Sequence, residues 1–196
     1  MKFIPILFST AMVQALQAGT KTQTRRVVKN AQADDRGYRY AGENFEDYHG
    51  NILKCPYGAP GDILWVRETF KPDWDEDGTE QIYFYKSDFP DDIDCWAGRW
   101  KPSIFMPRAA CRLFLKIKSI RVERLQEISE ADAIAEGIEK WDSVNYKIYG
   151  KYAGKTENAK KSYSTLWQSI NEPESWEANP WVWVVEFERV EKPDNF

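Results

Sequence analysis

The strongest constraint on the fold is the alternation of side chains in the last long segment of the chain. In the predicted strand Trp181 to Val190, Trp181, Trp183, Val185 and Phe187 alternate with Val182, Val184, Glu186 and Glu188. This pattern is typical of a strand that becomes more exposed towards its end. Ile63 to Arg67 and Ala110 to Leu125 are also strand-like. Strand patterns outnumber helical ones, which predicts an α+β fold built on a closed or nearly closed mixed β-barrel with short flanking helices.

Three short helices are predicted from caps and periodicity. Ala11 to Ala18 follows a cap at Ser9 or Thr10 and is ended by Gly19 as a left-handed residue. Ser129 to Gly137 has a cap, early carboxylates and a terminating glycine, and Ser162 to Ile170 has one apolar side. Glu136 ends the second helix, where the helix dipole disfavours a carboxylate. We therefore expect another group to hold its charge.

The 196 residues fit a single domain, 1–196. Weakly periodic segments predict loop insertions near 29–51, 87–101 and 141–161. Two further strands are expected, Gln81 to Lys86 and Ile104 to Met106. A run from Arg26 onwards is also interpreted as the start of a strand.

Net charge and cysteine content limit the classes of partner and the cellular compartment that we expect for this chain. Lysine and arginine number 27 against 31 acidic residues, so the formal charge is −4 and no global positive field favours long nucleic acid. A single nucleoside or nucleobase is the easier partner. The apolar opening segment is too short to span a membrane, so no membrane partner is expected. Cys55, Cys95 and Cys111 are widely spaced, which indicates reduced thiols in a cytoplasmic protein.

A single histidine, His49, excludes multi-histidine zinc sites and makes a histidine-based triad improbable, because it lies in a polar loop-like stretch. A site combining His49 with the three cysteines stays open, although no C-x-x-C pair anchors it. We expect no metal and no cofactor. Hydrolysis, if present, must use lysine or carboxylate bases.

The best candidate for chemistry is Gly19 to Arg26, which carries one lysine, two arginines and three threonines without an acidic residue. It lies where a predicted helix ends and a strand begins, a place where side chains and free backbone groups converge. The competing interpretation is a solvated surface turn. Lys21 and Thr24 are three apart and would face opposite sides of one regular strand, so Lys21 must lie in the Gly19 turn or a bulge must intervene.

Gly19, Lys21, Thr24 and Arg25 spell G-x-K-x-x-T-x-R, which resembles the signature of the ASCH domain family. Other segments resemble its longer phage and bacterial members in the same order: Pro5 to Ser9, Cys55 to Gly58, Gly61 to Thr69, Pro102 to Arg108, Ile128 to Ile138 and Asn179 to Val184. The resemblance implies a PUA-like barrel. It further implies an amidohydrolase that removes acyl groups from N4-acetylcytidine, with Lys21, Thr24 and Glu136 as catalytic residues.

The implied chemistry agrees with the general requirements for nucleophilic attack on an amide. A threonine hydroxyl attacks an amide carbonyl when a nearby base takes its proton, and a lysine can act so if burial and cationic neighbours lower its pKa. Substrate-binding candidates are Arg25, Arg26, Trp65, Arg67 and Glu68. Glu68 is also the rival catalytic carboxylate, or a structural partner of Arg25 or Arg67.

Two other functions remain open. The alternative is a non-catalytic module that binds RNA or a modified base, and a nuclease is weaker because no metal-binding cluster is evident. Tryptophans in polar segments (Trp74, Trp96, Trp100, Trp141 and Trp176) could stack on a flat ligand in either case, whereas Trp65, Trp167, Trp181 and Trp183 are expected in the core.

Overall fold

A computed structural model describes residues 1–29, 36–41, 44–89, 99–151 and 153–196, in which the chain forms twelve strands and three α-helices. The helices are α1 (Thr10–Gln17), α2 (Glu130–Ala135) and α3 (Ala159–Ile170). The strands are β1 (Phe3–Leu7), β2 (Gln23–Val27), β3 (Tyr38–Ala41), β4 (Asn44–Asp47), β5 (Ile52–Leu53), β6 (Ile63–Arg67), β7 (Phe70–Trp74), β8 (Gln81–Tyr85), β9 (Phe114–Arg124), β10 (Tyr146–Ile148), β11 (Gly154–Thr156) and β12 (Trp181–Val190).

The main sheet has five strands in the order β1-β6-β9-β12-β2. β1 is parallel to β6, and the other neighbours are antiparallel. β9 and β12 pair along most of their lengths, with a register shift between Glu186 and Phe187. The predicted strands 63–67 and 181–190 are confirmed with their bounds, and the α+β class is confirmed as well.

The expected closure into a barrel does not occur in the described residues. β1 and β2 are the two edges of the sheet, and β2 pairs only with β12. A side chain joins the edges instead, because Arg26 donates from Nη2 to the carbonyl oxygen of Leu7 over 2.7 Å. In the chain, α1 lies between β1 and β2. The width of this helix separates the two edge strands, which would pair with each other in a closed barrel.

The first half of β12, Trp181 to Val185, is buried on both faces, which explains its apolar composition. Trp183 and Val185 belong to a core that lies between the main sheet and α1, whereas Val182 and Val184 pack against α2 and α3. A third apolar cluster, which includes Ile63, Phe70 and Phe114, packs against Phe196. The two helices on the outer face therefore lie beside β2, the strand with the candidate chemistry.

The helix predictions are confirmed at both ends of α1 and α2. Ser9 accepts a hydrogen bond from the backbone N–H of Met12, and Ser129 does the same for Asp132. Gly19 and Gly137 follow the helices with φ of +72° and +83°, a conformation that glycine adopts without strain. Helix α3 begins three residues before its predicted start, because Asn158 caps it.

Three sequence predictions are wrong or incomplete. β2 begins at Gln23 rather than Arg26, and the segment expected to be a strand at 104–106 begins in a 3-10 turn, Ser103–Phe105. The insertions near 29–51 and 141–161 contain small sheets, β3-β4-β5 and β10-β11. Most of the third insertion, 90–98, lies outside the described residues. No described helix is long and apolar enough to cross a membrane.

Candidate active site

Two helix ends are joined at the start of the candidate segment. After α1, the backbone N–H groups of Thr20 and Lys21 both donate to the carbonyl of Ala15, over 3.0 and 3.1 Å. Lys21 then pairs with Glu136 as an isolated antiparallel bridge, and Thr22 donates to the carbonyl of Ala135 over 2.8 Å. Lys21 therefore precedes the regular strand, as the Gly19 turn required, and the C-terminal ends of α1 and α2 meet at this point.

Lys21 and Glu136 form a buried ion pair. The Lys21 Nζ lies 2.9 Å from Glu136 Oε2 and donates to the Glu136 carbonyl oxygen over 2.8 Å. The two residues are 3% and 5% exposed. Burial lowers the pKa of Lys21 below its ordinary value, against the attraction of Glu136, and the charges of Arg26 and Arg25 lower it further. The uncharged amine of Lys21 therefore forms more readily than that of a solvent-exposed lysine.

Arg25 supplies the second cation next to Glu136, so the expected support for this carboxylate is confirmed. Its Nη1 donates to Glu136 Oε1 over 3.2 Å, and its Nη2 donates to Glu123 Oε1 over 2.6 Å. Asp132 approaches Nη2 to 3.4 Å. Arg121 binds the other sides of Glu123 and Asp132. Arg25 is thus fixed by three carboxylates.

Glu123 and Asp132 could not be identified from the sequence, because Arg25 lies on β2 whereas Glu123 lies on β9 and Asp132 on α2. Alternating charges at Arg121 and Glu123 were the available signal, but such a pattern also fits an exposed strand face.

A cavity opens beside this network. Its volume is about 80 Å³, and it opens to solvent. Its polar wall consists of Lys21, Thr24, Arg25, Arg26 and Glu136, and its apolar wall comes mainly from α1 and α3: Met12, Tyr163, Leu166, Trp167 and Ile170. Because β2 is an edge strand, adjacent side chains from both of its faces reach the cavity. An adjoining, largely apolar cavity of about 380 Å³ shares Met12, Glu136, Leu166 and Ile170 with it.

Thr24 is 1% exposed and lines the same cavity. Within the described residues its hydroxyl makes no hydrogen bond. Thr24 and Lys21 therefore line the same cavity without a hydrogen bond between their side chains. A bound substrate can place its reacting atom between them, since catalytic hydrogen bonds often form only in the complex.

Glu68, Arg67 and Trp65 do not line this cavity. Glu68 is 1% exposed and is bound by Arg112, from Nε to Oε1 over 2.9 Å, and by Ser87 Oγ over 2.7 Å. Neither expected structural partner, Arg25 nor Arg67, pairs with Glu68 in the described structure.

Arg67 donates to the carbonyls of Ile104 and Met106 and lies over the Trp65 ring. The expected substrate-binding roles of Trp65, Arg67 and Glu68 thus have no support from this cavity, and Glu136 is the carboxylate next to Lys21.

Thiol chemistry is not supported in the described part of the chain. Burial raises the pKa of Cys55 and of Cys111 to about 11 each, so both are thiols at neutral pH rather than nucleophilic thiolates. Cys95 lies outside the described residues, and with it the four-residue metal site that the sequence left open. Among the described residues no three histidine, cysteine or acidic side chains group as a metal site.

The tryptophans divide largely as expected. Trp167, Trp181 and Trp183 are buried, and Trp65 is half-buried. Trp74 and Trp141 are exposed, Trp100 and Trp176 are half-buried, and Trp96 lies outside the described residues. Only Trp167 of the described tryptophans lines the cavity.

No known protein family model, no curated protein and no solved structure matches this chain. The chemistry of the cavity itself is therefore the basis for a function.

Proposed function

We propose that the chain is a metal-independent amidohydrolase that removes the acyl group from N4-acylated cytosine nucleosides or nucleobases. One observation carries this proposal. Lys21 and Glu136, which are 115 residues apart, form a buried pair on the wall of a cavity that Thr24 also lines. A lysine base, a hydroxyl nucleophile and a carboxyl acid are the groups that amide hydrolysis needs without a metal.

The Lys21–Glu136 pair can supply both the base and the acid. Moving one proton across the 2.9 Å contact converts ammonium and carboxylate into amine and carboxylic acid. Burial lowers the pKa of Lys21, so its ammonium releases this proton more readily than that of an exposed lysine.

The reaction then proceeds in two balanced steps. Thr24 Oγ1 attacks the acyl carbon while Lys21 takes its proton, and the C–N bond breaks as Glu136 protonates the departing N4 amine. This leaves an acyl ester on Thr24 and the pair in its ionic form. After the proton returns from Lys21 to Glu136, a water attacks the ester with Lys21 as base. Glu136 protonates the leaving Thr24 oxygen, and the carboxylic acid is released.

The alternative, a non-catalytic RNA-binding module, is less well supported. Recognition of RNA phosphates uses cations that are exposed to solvent and to the nucleic-acid backbone. Lys21 and Arg25 are instead buried and paired with carboxylates. The formal charge of −4 also disfavours long nucleic acid.

We further propose membership of the ASCH family with a PUA-like architecture. Support comes from the cavity, because Lys21, Thr24 and Arg25 of the G-x-K-x-x-T-x-R pattern all line it. The bridge from Arg26 to Leu7 brings the open sheet edges together, as a distorted barrel requires. A cytoplasmic location is part of the same proposal, in keeping with reduced thiols and a nucleoside substrate.

Incubation of the purified protein with N4-acetylcytidine, followed by ultraviolet absorbance, tests the proposal. The wild type should release cytidine and should keep its activity in a chelator. Thr24→Val preserves the shape of the side chain and removes the nucleophile, so turnover should fall by about 10³-fold or more. Absence of hydrolysis by the wild type, or full activity of Thr24→Val, would reject the mechanism.

A further inference from the structure

Tyr163 is a cavity residue that the sequence analysis did not single out. It lies on α3 and is 3% exposed. Its ring packs against Trp167 and Trp176, with centroids 6.2 and 6.4 Å apart. The ring is therefore held in one position, and it lines the same cavity as Lys21, Thr24 and Glu136.

The Tyr163 hydroxyl makes no hydrogen bond within the described residues. Two half-buried tyrosines do make hydrogen bonds: Tyr85 donates to the carbonyl of Ala110 over 2.6 Å, and Tyr149 accepts from the backbone N–H of Glu139 over 2.7 Å. Leaving a buried hydroxyl unpaired has a cost in free energy. A ligand in the cavity could remove that cost.

The hydroxyl keeps its proton at neutral pH. Burial raises the pKa of Tyr163 well above its ordinary value, and the nearby Glu136 carboxylate raises it further. Arg25, by contrast, already directs its N–H groups to Glu123, Asp132 and Glu136. Among these buried groups, Tyr163 is thus a neutral donor with an unused hydrogen.

We propose that Tyr163 is a further catalytic residue, whose O–H donates a hydrogen bond to the acyl oxygen of the substrate as negative charge develops there. This inference rests on the proposed amidohydrolase function. No proton is transferred: the hydroxyl keeps its hydrogen while the tetrahedral oxyanion forms and collapses. A donor fixed by aromatic packing needs no rearrangement at that moment, which is the property that makes such donors effective.

Tyr163→Phe tests the inference, because it removes the hydroxyl and keeps the ring contacts with Trp167 and Trp176. With N4-acetylcytidine, kcat should fall about 10²-fold, the usual effect of losing one oxyanion donor, while KM changes less than about twofold. Melting temperature should not fall, because an unpaired hydroxyl is removed. Tyr85→Phe is the matched control: it loses a satisfied hydrogen bond, so its stability should fall and its kcat should not.

The outcomes separate this inference from the proposed function. If the wild type is active and Tyr163→Phe has an unchanged kcat, the inference alone is wrong. A rise in KM at constant kcat also overturns it, since the hydroxyl would then only bind the ground state. If the wild type is inactive, the proposed function and this inference fall together. Tyr163→Met, which also removes the hydroxyl from an apolar site, should show the same loss of kcat and replaces the first variant if that one does not fold.

Discussion

Removing the carboxylate of Glu136 should destabilise the fold more than removing the ammonium of Lys21. Glu136→Gln keeps the shape of the side chain but leaves buried Lys21 without its carboxylate partner, 2.9 Å from Nζ. It also removes one of the three carboxylates that bind Arg25, the one 3.2 Å from Nη1. Breaking a buried pair by removing one partner costs about 3–5 kcal/mol. Lys21→Met leaves Glu136 paired with Arg25 and loses one bond to a backbone carbonyl, which costs about 1–3 kcal/mol.

Urea unfolding followed by tryptophan fluorescence measures the difference. Glu136→Gln should lower the free energy of unfolding by about 2 kcal/mol more than Lys21→Met, and the double variant should be more stable than Glu136→Gln alone. Glu139→Gln is the matched control, because Glu139 pairs with Lys147 over 2.8 Å on the surface and should contribute under about 1 kcal/mol. An equal or smaller effect of Glu136→Gln would show that its charge is not what stabilises the buried Lys21 ammonium.

Three further results are expected. Burial lowers the pKa of Lys21, so the folded chain binds fewer protons than the unfolded chain between that lowered pKa and the ordinary value of 10.5. Across this window the free energy of unfolding of the wild type should rise with pH relative to Lys21→Met; a flat difference in urea titrations would contradict the shift. Gly137→Ala would place a Cβ 2.9 Å from the Cβ atoms of Ala15 and Lys21, at a residue with φ of +83°, so it should lower both stability and turnover. The control is Gly150→Ala, at φ of +92° with no atom close by. It should lower the free energy of unfolding by about 1–2 kcal/mol without loss of turnover. Glu68→Gln should lower the melting temperature and leave kcat unchanged, and a loss of kcat would restore Glu68 as the catalytic carboxylate.

Local features of the fold could be predicted from the sequence. The caps at Ser9 and Ser129 and the glycines that end α1 and α2 depend on neighbouring residues only, so their signals are complete in the sequence. The long strand at 181–190 was equally clear, because alternation over ten residues is specific.

Non-local pairing could not be predicted. Glu68 pairs with Arg112 and Arg25 pairs with Glu123 because of the strand order, which no local pattern encodes. The short apolar run at 104–106 was wrongly interpreted as a strand, since Pro102 and Pro107 flank it and remove backbone donors that a strand would use. The meeting of Lys21 and Glu136 was expected only through resemblance, and their contact depends on how two helix ends pack.

The central claim is that Lys21 accepts the proton of Thr24, and turnover by Lys21→Arg tests it most directly. This variant keeps a positive charge but cannot accept a proton at neutral pH, and Lys21→Met controls for the loss of charge. If Lys21 is the base, both variants should lose about 10²–10⁴-fold in kcat with N4-acetylcytidine while remaining folded by circular dichroism. Substantial turnover by folded Lys21→Arg would contradict the account, because Lys21 would then act only as a charge.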